Sequence, residues 1–170
     1  MVALNPTQLA TFKTHLDANT DPVIVQALQD GTNIVIADWY NGVASPDVWV
    51  FKSSVTAKEL RDAFDWNEVL TGSPINDLSR WGFDNLLKEG SVDPSLVNTR
   101  NALNQIFTGQ STTKLNVLNA STRKASIIES LFIQTATGPG GGDGTTQMGS
   151  AIADFEGDIS RLDVAAALKL

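Results

Sequence analysis

The chain has 170 residues, 42% hydrophobic and 18% charged, which fits one globular domain with an ordinary core. Twelve Lys and Arg against 19 Asp and Glu leave a net charge of -7, so the surface should not hold nucleic acid by its phosphates, which takes cations that displace counterions. The lack of cysteine excludes disulfides and thiol chemistry. No run approaches the roughly 18 apolar residues of a membrane span, and the N-terminal segment has no signal-peptide pattern, as expected of a soluble intracellular chain.

Asn5-Pro6-Thr7-Gln8 supplies an N-cap, a proline at the first helical position and a glutamine at N3, and Leu9, Phe12 and Leu16 follow at helical spacing. Asp21-Pro22 repeats the cap-and-proline pattern, with Val25 and Leu28 leading to Gly31 as a stop. The β-branched run Asn33 to Ala37 would suit a strand, but Ile36, Trp39 and Tyr40 share one helical face, and Gly31 and Gly42 bracket a helix. Asp47 to Ser53 reads as extended, with Trp49 and Phe51 alternating with Val48, Val50 and Lys52. It could pair as a hairpin arm or pack its tryptophan between helices.

Thr56 and Glu59 form a capping box ahead of Leu60, Ala63 and Phe64. Pro74 to Glu89 predicts a helix with Ile75, Leu78 and Trp81 on one side and Gly90 as its stop. Asp93-Pro94 starts another, with Leu96, Val97, Leu103, Ile106 and Phe107 inward and Gly109 at its end. Ser111 opens a short helix through Leu115 and Leu118, and Ser121 or Thr122 caps one whose face is Ala125, Ile128, Leu131 and Phe132. Residues 135–150 contain Gly-Pro-Gly-Gly-Gly-Asp-Gly and read as a flexible linker. An apolar piece with Ile152 and Phe155 follows, then Ser160 as cap of a small helix carrying Leu162, Val164, Ala165 and Leu168.

The expected fold is mainly α: a helical bundle with one short extended segment (about 47–53) and an extended C-terminal arm. It divides into a helical body (1–134), a Gly/Thr-rich linker (135–150) and an arm (151–170) that folds back on its own body or docks on a neighbour.

Catalytic signals are sparse. His15, the sole histidine, lies off the Leu9–Phe12–Leu16 stripe and reads as a surface residue. No G-x-S-x-G elbow is present. Asp62, Asp65 and Glu68 fall at helical spacing, but no calcium-loop pattern accompanies them, and a solvated acidic face is the simpler reading. The glycine run lacks the Gly-Lys-Ser/Thr of a phosphate loop. No catalytic, cofactor-binding or metal-binding residue is assigned, and an enzyme is not expected. Of the tryptophans, Trp39, Trp66 and Trp81 are expected mainly in the core, and Trp49 is the candidate interface anchor.

Several pieces occur in a recognisable order: Ala-Asp-Trp-Tyr-Asn (37–41), Val48 to Val55, Phe64-Asp65-Trp66, Asn98 to Leu103, Thr122 to Ala125, Glu129 to Phe132, and Phe155-Glu156-Gly157-Asp158-Ile159-Ser160 with Asp163-Val164. Over nearly its whole length the chain resembles a family of small phage and prophage proteins whose genes lie among head and tail morphogenesis genes. The resemblance implies a virion component, foremost a head–tail adaptor that forms a twelvefold ring below the portal. It would be made in the host cytoplasm and built into the head–tail junction. Its partners would be further copies, the portal protein and a downstream neck or tail protein. DNA would pass through an acidic lumen without sequence-specific binding. Trp49, Phe51, Ile152, Phe155, Ile159, Leu162 and Val164 would then form the interface with the portal or a neighbouring subunit, and removing 135–170 should leave a folded body that no longer docks. A tail terminator or other neck protein, and more distantly a small regulatory binding protein, are the alternatives.

Overall fold

The structure, a computed structural model, describes residues 3–170. In chain order its elements are α1 (Pro6–Asp17), α2 (Pro22–Asp30), α3 (Asn33–Tyr40), β1 (Trp49–Phe51), β2 (Val55–Thr56), α4 (Ala57–Asp62), a π-helical turn (Glu68–Gly72) and α5 (Asp77–Leu86). There follow β3 (Ser91–Val92), α6 (Val97–Ile106), α7 (Ser111–Ala120), β4 (Thr122–Lys124), α8 (Ile127–Ser130), β5 (Ile133–Gln134), β6 (Ile152–Ala153) and α9 (Arg161–Ala167). About half of the described chain is helical, and the short strands form small two-stranded sheets. The protein is therefore helix-rich but not purely α. The segment near 47–53 has extended companions that the hydrophobic pattern does not announce.

Local capping chemistry sets the helix starts. Asn5 and Gln8 exchange reciprocal bonds, the Asn5 side chain accepting from the Gln8 N–H at 2.9 Å and Gln8 accepting from the Asn5 N–H at 3.0 Å. Thr56 with Glu59 and Ser160 with Asp163 do the same for α4 and α9. Gly31 ends α2 at φ +67°, a left-handed conformation that costs a glycine little. Two starts differ from expectation. Asp93 bonds the Ser95 N–H at 2.8 Å in a local turn, and α6 begins later, at Val97. Thr122 enters β4 instead of capping a helix, and Ser126 is the cap of α8.

The chain forms two compact units. Unit 1 comprises Met1–Val48, Lys124–Gln134 and Ala153–Leu170. Its core joins Phe12 and Leu16 of α1, Ile24 of α2, Ile36 and Tyr40 of α3, and Ile128 of α8 to Phe155, Ile159 and Val164. The C-terminal segment is thus folded onto its own chain, not extended toward a neighbour. Its apolar side chains complete a core that α1 to α3 leave open, and polar anchors fix its register. The Asn41 amide donates to the Ile159 carbonyl and accepts from its N–H, both at 2.9 Å. Glu129 accepts from the Gly157 N–H at 2.9 Å, and Asp163 from the Leu4 N–H at 3.3 Å.

Unit 2 comprises Trp49–Arg123 and Thr135–Ile152. Its core contains Val55, Leu60, Phe83, Leu87, Leu103, Phe107 and Val117. β1 pairs with β4, and β2 with β3 in antiparallel register, Val55 opposite Val92. Segment 135–150 is not a tether. The Gly142 N–H donates to the Ser150 carbonyl at 2.9 Å, Gly144 to Gly149 at 2.7 Å, and the Trp49 N–H to the Gly144 carbonyl at 2.8 Å. A Cβ at Gly142 would stand 2.6 Å from the Gly149 carbonyl oxygen, and one at Gly138, where φ is +82°, would stand 2.7 Å from a Val97 methyl. The glycines let backbone pack against backbone, a role that composition cannot distinguish from flexibility.

Candidate functional site

One side chain holds the glycine-rich loop of unit 2. Arg100 on α6 is fully buried. Its Nη1 donates to the carbonyls of Pro94 and Ser95, both at 2.7 Å, and its Nη2 to the carbonyl of Thr137. Its guanidinium lies 4.2 Å from the centre of the Phe51 ring, a cation–π arrangement. Burial draws its pKa below the ordinary value, with Asp93 opposing. The guanidinium presents its donors in a fixed planar fork, which here meets three carbonyls from two nitrogens. Nothing in the hydrophobic pattern marks Arg100, because an arginine on a helix ordinarily faces water.

The residues expected at an interface divide between the units. In unit 2, Phe51 is 2% exposed beneath Arg100, while Trp49 and Ile152 are half-buried. In unit 1, Phe155, Ile159 and Val164 are core residues, and Leu162 alone is freely exposed, at 72%. These seven side chains make no common surface within either unit.

Exposed apolar groups concentrate elsewhere. In unit 2, Trp66, Leu70, Leu78 and Trp81 are exposed by 52, 60, 76 and 66%. The buried face of α5 is Phe83 with Leu87 beyond it, so the Leu78–Trp81 side expected to point inward is the solvent face. Phe64 links this surface to the core, with its ring centre 5.3 Å from Trp66, 5.2 Å from Phe83 and 5.2 Å from Phe107. Such tilted and edge-on contacts are the arrangements that aromatic rings favour. Beside these rings opens a hollow of about 190 Å³, lined by Phe64, Trp66, Leu70 and Ile75 together with Arg61, Arg80 and Asp84.

The π-helical turn sets the pose of Leu70. Asp65 accepts from the N–H groups of Asn67 and Glu68, each at 3.1 Å. The Glu68 carboxylate reaches the start of α7 and accepts from the Thr112 and Thr113 N–H groups at 3.0 and 2.7 Å. An anion there meets unsatisfied donors and the positive helix end. Desolvation opposes its charge, but these bonds outweigh it and hold the Glu68 carboxyl below its usual value. Asp62 pairs with Lys58 instead. Asp62, Asp65 and Glu68 thus perform three separate tasks and do not form one acidic face.

Unit 1 carries a second apolar surface. Between α2 and α3 lies an open groove of about 520 Å³ lined by Pro22, Val23, Ala27 and Val35, with Gln26 and Asp30 at its rim. Val23 and Ile34 are exposed by 51 and 54%. His15, expected at the surface, is half-buried, and its Nδ1 lies 2.8 Å from the hydroxyl of buried Tyr40, which also accepts from the Asn19 amide at 3.0 Å. Burial raises the Tyr40 pKa.

Charge divides unevenly. Unit 1 holds four Lys and Arg against ten Asp and Glu, a net charge of -6, and unit 2 holds eight against nine, a net of -1. Among the described residues no helix is long and apolar enough to cross a membrane. Compared with known proteins, the chain matches no family model, and no curated protein or solved structure is significantly similar to it.

Proposed function

We propose that the chain is a structural subunit of a tailed-phage virion, an adaptor of the head–tail junction that assembles into a ring and binds the portal protein, and that it is not an enzyme. The observation that carries an assembly role is the exposure of Trp66 and Leu70 around one hollow and of Leu78 and Trp81 on one side of α5. Soluble monomers rarely expose a cluster of large apolar groups of this kind, and tryptophan is enriched where partners dock. The virion context comes from the resemblance of the ordered sequence pieces, and the acidic unit 1 suits a passage along which DNA slides without adhering. Relative to the sequence-based expectation, the docking residues move from the C-terminal segment, which is engaged in its own core, to the exposed tryptophans.

The test is to mix the purified chain with portal protein and measure the mass of the product. A complex with several copies of the chain per portal ring is expected. A chain that stays monomeric with the portal present would overturn the adaptor role.

A further inference from the structure

Two of the ordered sequence pieces meet in unit 1. Asn41 ends the piece 37–41, Ile159 belongs to the piece 155–160, and the Asn41 amide grips the Ile159 backbone, donating to its carbonyl and accepting from its N–H, both at 2.9 Å. The residue after Asn41 is Gly42, and no other Asn-Gly pair occurs in the sequence. Both residues are half-buried. Such a pair carries its own chemistry, because a glycine has no Cβ to shield its backbone nitrogen. The Gly42 nitrogen attacks the Asn41 Cγ, its proton leaves with the side-chain nitrogen as ammonia, and a cyclic imide closes. Water then opens the ring at either carbonyl and leaves an aspartate or an isoaspartate at position 41. The fold restrains both reacting groups. The Asn41 side chain is held on Ile159, its backbone is helical at φ -79° and ψ -10°, and the Gly42 N–H donates to the Trp39 carbonyl at 3.1 Å. Ring closure requires the Gly42 nitrogen to turn toward Cγ, which breaks these bonds. A Cβ at position 42 would stand 3.1 Å from the Trp39 carbonyl oxygen, so the tight turn favours glycine where the grip on Ile159 requires an amide.

We propose that Asn41-Gly42 is a deamidation site kept closed by the docked C-terminal segment, and that its conversion makes release of that segment irreversible. When Ile159 withdraws, the amide and the turn become free to react. The product cannot rebuild the grip. An aspartate presents an oxygen to the Ile159 carbonyl where the amide nitrogen donated, which sets two acceptors against each other. An isoaspartate adds a methylene to the main chain ahead of Gly42, whose carbonyl accepts from the Ile127 N–H at 2.8 Å. None of this chemistry depends on the assembly role.

Peptide mass spectrometry on the full chain, incubated at mildly alkaline pH, reads the conversion at position 41. In unfolding urea Asn41 should react before every other asparagine. In the folded chain it should react at least about tenfold more slowly, since the rate then scales with the opened fraction. Val164→Ala weakens the docking of α9 and leaves Asn41, Gly42 and Ile159 unchanged, and it should raise the folded rate about tenfold. Urea below the unfolding transition should raise the rate of the unmodified chain progressively. Asn41→Asp, which reproduces one product, should quicken hydrogen exchange at Gly157 and Ile159. Equal rates in the folded and unfolded chain would overturn the closed site. A slow folded rate that responds neither to Val164→Ala nor to urea would overturn control by the docked segment. Unchanged exchange in Asn41→Asp would overturn the irreversible release.

Discussion

Replacing Arg100 with alanine should loosen the glycine-rich loop of unit 2 and lower its stability by about 3–5 kcal/mol, the scale of leaving buried acceptors without a donor and opening a void beside them. Arg100 makes three hydrogen bonds to carbonyls and lies over Phe51. A hydrogen bond to a charged group contributes about 1.5–3 kcal/mol, so the bonds together amount to about 5–9 kcal/mol. Against this stands the cost of burying the guanidinium, several kcal/mol, raised here because its Nε finds no acceptor among the described residues. The substitution relieves that cost but leaves the carbonyls of Pro94, Ser95 and Thr137 without their donor and a void beside Phe51. Urea unfolding followed by tryptophan emission should show a midpoint about 2 M lower, for a slope near 2 kcal/mol/M. Hydrogen exchange should quicken at Gly142, Gly144 and Ser150. Arg100→Lys should recover only part of the loss, since one ammonium cannot reproduce the fork. An alanine variant within about 1 kcal/mol of the parent, with the loop's exchange unchanged, would refute the role given to Arg100.

Phe155→Ala opens a void in the core of unit 1 and should cost about 3–5 kcal/mol in denaturant unfolding, and deletion of 135–170 should unfold unit 1 instead of releasing an intact body. A truncated chain with undiminished circular dichroism and cooperativity would contradict this. Asp163 loses some preference for its charged form to burial, but bonds from Ser160 and from the Leu4 N–H outweigh this and hold its pKa below the ordinary carboxylate value. A depressed folded pKa adds stability that is complete above the unfolded value and is lost as pH falls through the folded one. Acid titration of the parent should therefore show a destabilisation below about pH 4 that Asp163→Asn lacks; equal slopes would remove Asp163 from the account. Gly142→Ala should destabilise unit 2 by more than about 1 kcal/mol, because the added Cβ meets the Gly149 backbone. A neutral effect in thermal unfolding would show that the close approach can relax.

The elements legible in the sequence are those whose determinants are local. Asn5, Thr56 and Ser160 each announce a helix start within four residues, and the structure places capping boxes at all three. Choosing a helix for Asn33–Tyr40 over a strand also rests on nearby signals, the shared face of Ile36 and Tyr40 and the glycine brackets. What escaped depends on distant chain. The partner of β1 is β4, some 70 residues on, and nothing near Trp49 encodes it. On α5 both sides carry large apolar groups, Leu78 and Trp81 on one and Phe83 and Leu87 on the other, so periodicity finds the helix but cannot choose its inner face. The same ambiguity hid the exposure of Trp81. The loop glycines and Arg100 form one device, each half uninformative alone: glycines admit the close approach, and the arginine holds it.

Cryo-electron microscopy of the neck in virions that carry this chain tests the central claim most directly. The account predicts a ring of helix-rich subunits between portal and tail, into whose density both units fit, with α5 against a neighbouring copy or the portal. Density at the junction that accommodates neither unit, in virions that are complete and infectious, would contradict it.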